Sequence, residues 1–237
     1  KIYIYIYIYM NLIIGDSHIL ALQKYNNNQN NLFQYSASSI RGLLNKNSKT
    51  GTGNQIINLA NSLKYDKLFI MFGKVDLEWV YPYKLKKENI EIRDFIEDTI
   101  DKYIEFINKI SDKFKVLYVM GLHLPSLEEE EMIKCINGHA SIKIVSSLAG
   151  IENIFNPTKQ IGSLKKRTEE ISMFNNILSK KVNNINCKNC YYIDITEELL
   201  DKETNTCKKY FIINGDHHLK RDETGIIWYQ KYLKSAF

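Results

Sequence analysis

Two short stretches of this chain carry side chains able to do covalent chemistry. The first is Leu12-Ile-Ile-Gly-Asp-Ser-His18, in which an apolar run breaks at Gly15 and Asp16 just before a helical pattern begins. A serine at such a strand-to-helix turn sits at the positive end of the following helix, with its own backbone N–H able to donate to an oxyanion. Acyl transfer needs that arrangement. Asp16 and Ser17 are also good helix N-caps, so the turn by itself does not separate chemistry from capping. The second stretch is Phe211-Ile-Ile-Asn-Gly-Asp-His-His-Leu219, near the end of the chain. A carboxylate just before two imidazoles, expected in a loop, offers a general base together with a group to orient it. Serine requires both, because its hydroxyl is a poor nucleophile until an imidazole takes the proton and a carboxylate fixes the tautomer of that imidazole. Asn-Gly-Asp is equally the chemistry of a surface turn. Adjacent histidines can ligate metals, but neighbouring rings usually diverge and no acidic group completes a site, so neither a metal nor a cofactor is expected.

These residues must be positioned by the elements around them. Leu12 to Ile14, Leu32 to Tyr35, Lys67 to Phe72, Val116 to Met120 and Tyr191 to Ile195 are short β-branched or aromatic runs bounded by Gly, Asn or charge, and they read as buried parallel strands. Between them lie helical patterns over Ser17 to Lys24, Asn54 to Lys64, Ile90 to Ile110, Gln160 to Lys181 and Thr224 to Lys234. In the third, Ile92, Phe95, Ile96, Ile100, Tyr103, Ile104 and Ile107 recur at spacings of three and four and form one apolar face. The alternation predicts a three-layer α/β/α sandwich around a five-stranded, mostly parallel sheet, with the ligand site outside the carboxyl ends of the strands. A dinucleotide-binding reading lacks the Gly-rich phosphate loop it would need after the first strand. Pro125 to Gln160 is the least regular part, and its acidic run Glu128 to Glu131 reads as the solvated first turn of a helix.

Taken together, the residues resemble a known family. Gly15-Asp-Ser-His18, Gly73-Lys-Val-Asp76 after the third strand and Asp216-His-His-Leu219 resemble blocks I, III and V of the SGNH (GDSL-like) hydrolase superfamily, in order and over nearly the whole chain from Met10. Ser38-Ser-Ile-Arg-Gly-Leu43, Gly121-Leu-His-Leu-Pro125, Arg167-Thr168 and Phe174-Asn175 agree with it. The resemblance implies a flavodoxin-like SGNH fold, with Ser17 as nucleophile, His218 as general base and Asp216 as the carboxylate that orients it. The Ser17 N–H and a glycine N–H, from Gly42 or Gly73, would line the oxyanion hole, with Lys74 adding a charge. His123 follows the fourth strand at the same sheet edge, which makes it a candidate substrate contact, with a packed loop histidine the preferred reading. This chain departs from the pattern at three places. Val75 replaces the block III Asn that donates to the oxyanion, Asp216 precedes His218 by two residues where the family has Asp-x-x-His, and the block II stretch reads Ala37-Ser-Ser39 with Gly42 as the nearest glycine. Asp76 is expected to hold its loop by accepting backbone N–H groups, and Arg167 to form an ion pair. Trp79, Tyr81 and Tyr83 are expected to pack in the core or on the surface.

The implied activity is serine-dependent hydrolysis of an O-acyl group, O-acetyl on a carbohydrate being the favoured class, through an acyl-serine intermediate. A sugar O-acyltransferase would use the same residues, and a catalytically weak glycan- or partner-binding domain is the reading that Val75 favours. The partner is then a small-molecule or glycan ester. Composition excludes other classes: 44% hydrophobic and 25% charged over 237 residues is ordinary for a folded α/β domain. The net charge of +5 comes from dispersed Lys with only Arg41, Arg93, Arg167 and Arg221, the mark of an AT-rich genome and not of a nucleic-acid surface. No run approaches the length of a membrane span. Cys135, Cys187, Cys190 and Cys207 are too few and uneven for a disulfide scaffold, so reduced thiols and a cytoplasmic location are expected. Cys187-Lys-Asn-Cys190 reads as two ordinary cysteines in a loop before a strand. Lys1 to Tyr9, a strict Ile/Tyr alternation, reads as a translated TA repeat ahead of Met10, leaving 10–237 as a single domain.

Overall fold

The computed structural model of the protein describes residues 10–62, 65–138, 161–185 and 187–234. The Ile/Tyr repeat, the last two residues of the second expected helix and 139–160 of the irregular segment lie outside them. Five strands, β1 (Asn11–Gly15), β2 (Asn30–Gln34), β3 (Lys67–Met71), β4 (Val116–Met120) and β5 (Cys190–Ile193), form one parallel sheet in the order β2-β1-β3-β4-β5. β1 lies inside the sheet, paired along its whole length with β2 on one side and β3 on the other, and all five of its residues are buried. Its unbroken Leu-Ile-Ile run follows from this, because a parallel strand covered on both faces has no polar side to present.

In chain order the α-helices of the described residues are α1 (Ile40–Leu43), α2 (Thr52–Asn61), α3 (Tyr81–Glu88), α4 (Ile92–Ile110), α5 (Glu129–Gly138), α6 (Leu164–Asn183), α7 (Thr196–Leu199) and α8 (Arg221–Trp228). α4 packs against α1 and α6 on one face of the sheet. Its expected stripe is buried at Phe95, Ile96, Ile100, Tyr103 and Ile107, extended by Phe106 and Ile110, while Ile92 and Ile104 lie at its margin. The acidic run opens α5 with Glu129, Glu130 and Glu131 in the first turn, where carboxylates suit the helix dipole. The expected helix after β1 is a 3₁₀ helix over Ser17–Tyr25, and it packs against α8 on the other face, so the two ends of the fold lie together. The right-handed crossover rule for parallel strands predicts such a division of the helices into two layers.

Two small hairpins were not anticipated. β6 (Leu200–Asp201) pairs with β7 (Thr206–Cys207), and β8 (Ile212–Ile213) with β9 (Asp216–Leu219), both antiparallel. The Asp-His-His segment is therefore a strand and not the loop expected from its polarity. Its turn, Asn214-Gly215, places Gly215 at φ +74°, the left-handed region that suits glycine. Among the described residues no helix is long and apolar enough to cross a membrane.

The approach of α8 to the 3₁₀ helix leaves no room for a side chain at Gly225, where an added Cβ would lie 2.1 Å from the Ala21 carbonyl oxygen. Gly225→Ala must push α8 away from the segment that carries Ser17. It is expected to lower unfolding stability by about 1–3 kcal/mol, the usual range for overpacking, as measured by chemical denaturation. An unchanged midpoint would show that the two elements are not in backbone contact.

Candidate active site

The site begins at the carboxyl end of β1. Asp16 leaves the strand in an extended conformation and caps the 3₁₀ helix, its Oδ1 accepting the His18 N–H at 3.0 Å and facing His18 Nδ1 at 3.1 Å. Asp16 is fully buried, and Ser17 is left at the rim. As the first helical residue, Ser17 has an N–H with no intrahelical acceptor.

β9 brings the second part. Residues two apart on a strand share a face, so Asp216 and His218 point the same way despite the shortened spacing. Asp216 Oδ1 accepts the His218 N–H at 2.9 Å and lies 2.7 Å from His218 Nδ1. The other ring nitrogen, Nε2, is 2.8 Å from Ser17 Oγ, across 201 positions of sequence. These partners assign the tautomer: Nδ1–H donates to the carboxylate and Nε2 accepts the serine O–H. Burial pushes the Asp216 carboxyl up, but the hydrogen bonds from His218 outweigh it and hold the group below the usual carboxylate range. The extended strand does at i and i+2 what the family motif does at i and i+3.

The remaining expectations divide. The Gly42 N–H donates within α1 to the Ser39 carbonyl at 3.0 Å and to Ser39 Oγ at 3.1 Å, so it is not available to an oxyanion, contrary to expectation. Gly73 adopts φ +134°, where an added Cβ would sit 2.8 Å from the Phe174 ring, and it turns the chain sharply two residues after β3 ends. Lys74 is not a lone charge at the cleft. It is fully buried, and its Nζ lies 2.5 Å from Glu78 Oε1, one turn along a π-helical stretch, Asp76–Val80. Burial raises the Glu78 carboxyl, but Lys74, His18 and His217 together more than reverse this and hold it below its usual range. Asp76 does hold its loop: Oδ2 accepts the Ile40 N–H at 2.7 Å, although complete burial pushes its carboxyl up to about 7. Among the described residues Arg167 makes no ion pair; its guanidinium donates to the Leu127 and Gly162 carbonyls and ties α6 to the segment ahead of α5.

His123 lines the same small cleft as Ser17 and His218, a space of about 190 Å³. It is nonetheless a packed residue, 2% exposed, with Nε2 accepting the Trp228 indole N–H at 2.8 Å. Burial drives its pKa down to about 3, so it stays neutral. The segment bearing it is clamped by Asn175, which accepts the Leu122 N–H at 2.8 Å and donates to the Leu122 carbonyl at 2.9 Å. Ser126 Oγ donates in turn to the Asp216 carbonyl at 3.1 Å and docks this segment on β9.

Sequence reasoning missed a cluster around the base. The rings of His18, His217 and His218 lie together, with centroids 3.9 Å apart for His217 and His218, 4.7 Å for His18 and His218, and 5.4 Å for His18 and His217. The adjacent histidines do not diverge as expected. The register of the β8–β9 hairpin shifts between Ile212 and Ile213, an irregularity of the kind that re-aims side chains. Cys135 Sγ is 3.4 Å from His217 Nδ1, and Trp79, which packs as expected against a small apolar cluster of Leu127, Met132 and Ile161, also meets the His217 ring edge-on at 5.9 Å. Burial drives His18 well below the usual imidazole range and His217 down to about 4. The one sequence signal was that His18 follows the serine directly while one further histidine, His217, directly precedes the expected base.

No protein-family model matches this chain, and no curated protein matches it in sequence. Solved structures match it in shape. It is similar to a GDSL-like lipase from Bacteroides thetaiotaomicron, with 11% identity and a TM-score of 0.52 over 97% of this chain and 87% of the other. An acetyl xylan esterase aligns at 13% identity and TM-score 0.53, covering 96% and 100%. The inhibitor-bound aryl esterase of M. smegmatis aligns at 10% identity and TM-score 0.50, covering 97% and 100%. Identities this low speak to architecture alone, and on that ground the chain has the fold of the SGNH hydrolases.

Proposed function

We propose that this protein is a serine-dependent ester hydrolase acting on short O-acyl groups, with an O-acetylated carbohydrate as substrate. The observation that carries the reading is the hydrogen-bonded chain from Asp216 through His218 to Ser17, at 2.7 and 2.8 Å. In the proposed reaction Ser17 Oγ attacks the acyl carbonyl carbon while His218 Nε2 takes the hydroxyl proton, and the Asp216 carboxylate stabilises the resulting imidazolium. The tetrahedral oxyanion faces the Ser17 N–H, and the Gly73 N–H is the second candidate donor. Collapse expels the alkoxy group, which receives the proton from His218. The acyl-serine is then hydrolysed by water, activated by the same imidazole.

The acetyl group and the carbohydrate class both draw on the acetyl xylan esterase among the similar structures. Four free cysteines suit a reducing compartment.

A second reading, a binding domain with little turnover, has one observation in its favour. Val75 stands where a side-chain donor is expected, and loss of one such donor lowers kcat by about 10²–10³.

Intact-mass analysis after treatment with a fluorophosphonate tests the reading directly. One adduct per chain is expected, absent from Ser17→Ala and His218→Ala. Absence of an adduct on the natural protein would falsify the hydrolase reading and leave the binding domain. Asp216→Asn keeps the shape but fixes the wrong tautomer, and it should slow hydrolysis of a short acyl ester by roughly 10²–10⁴. Val75→Asn restores the missing donor and should raise kcat about tenfold or more. A Val75→Asn protein no faster than the natural one would show that the oxyanion is served from the backbone.

A further inference from the structure

We propose that His18, His217 and His218 form a binding site for a divalent cation of the zinc class, and that a cation bound there silences Ser17. One ring nitrogen from each histidine lies within 4.8 Å of the others. Tetrahedral zinc with Zn–N of about 2.0–2.1 Å sets its ligand nitrogens about 3.4 Å apart, so the widest pair closes by about 1.4 Å, within the reach of small ring rotations.

Two observations point to a ligand at this cluster. His18 is 5% exposed, and its Nε2 is buried with no hydrogen-bond partner among the described residues. A buried polar atom left in that state is costly unless something meets it. Next, two of the three rings have a carboxylate behind them. Asp16 faces His18 Nδ1 at 3.1 Å and Asp216 faces His218 Nδ1 at 2.7 Å. Each carboxylate holds its imidazole with Nε2 forward, which is the outer-shell arrangement of histidine metal ligands.

The cation competes with the serine for one atom. His218 Nε2 has a single lone pair, which accepts the Ser17 hydroxyl at 2.8 Å in the metal-free protein. When that lone pair is given to a metal, the hydroxyl keeps its proton and loses its base. Water takes the fourth position. The silencing depends on the serine reading given above, whereas the binding does not.

The test uses the tag-free chain and two probes, Co²⁺ and Zn²⁺. One Co²⁺ per chain is expected to give the intense visible absorption of a four-coordinate site, displaced by Zn²⁺ and abolished in His18→Gln and in His217→Gln. These substitutions lie on different segments, and far-UV circular dichroism identifies the folded variants. Saturating Zn²⁺ should slow fluorophosphonate labelling of Ser17 at least tenfold, with recovery on adding a chelator. No cobalt absorption and no heat of binding for either ion overturns the site, as does binding that survives in a folded His18→Gln or His217→Gln protein. Labelling that proceeds unchanged with Zn²⁺ bound overturns the silencing. If the metal-free protein is not labelled at all, the hydrolase reading fails, and the cobalt spectrum still decides the metal site.

Discussion

The hydrogen bond between His218 and Ser17 is the point on which the rest of the structure converges. Its two ends come from opposite ends of the chain, and neither is rigid by itself. Ser17 is fixed because β1 is held inside the sheet by strands on both sides and because Asp16 caps the turn that follows. His218 is fixed because β9 is pinned by its hairpin, by Asp216 and by Ser126 reaching across from the segment after β4. The close approach at Gly225 then locks the C-terminal helix onto the helix that starts at Ser17. A contact of 2.8 Å across the whole fold thus requires the sheet, the hairpin and the C-terminal helix to be correct together.

Much of this was legible in the sequence. The parallel strands announced themselves because a strand covered on both faces must be a continuous apolar run, as in Leu12 to Ile14 and Leu68 to Phe72. The face of α4 was legible because a long amphipathic helix repeats its burial pattern over several turns. Ser17, His218 and Asp216 were legible as residue types in a recognisable order. The strand bearing the histidines was not, because Asp-His-His-Leu has neither β-branched residues nor an apolar alternation and its pairing partner is only two residues long. That missing strand is why the Asp216 spacing looked wrong, since a loop gives no rule for residues two apart and a strand does. Gly42 was misjudged because a glycine in a sequence does not reveal what its N–H already serves. The three-histidine cluster was invisible for a different reason: it is a property of tertiary contact between segments 200 positions apart, for which local periodicity carries no information.

The buried pair of Lys74 and Glu78 shows how charge is managed close to the serine. Two ions removed from water are tolerable only when each compensates the other, and breaking such a pair is far more damaging than never having built it. The i and i+4 spacing was present in the sequence, but ordinary exposed helices are full of such pairs, and only burial distinguishes this one. Its effect is to keep a cation near the imidazoles without presenting it to the cleft. The electrostatics around His18 and His217 are therefore set mainly by burial, which keeps both rings neutral.

The separation between Ser17 and His218 also orders events in time. During synthesis β1 and its serine emerge early and can begin to pair with β2 and β3, contacts that are comparatively local. The imidazole that meets it emerges some two hundred positions later, so the contact is among the highest in sequence separation that this topology contains. A nascent or prematurely terminated chain would carry Ser17 in a nearly complete sheet without its hydrogen-bond partner. On the proposed reading, competence arrives with the final hairpin and helix, and the chain's own topology delays reactivity until the fold around it has closed.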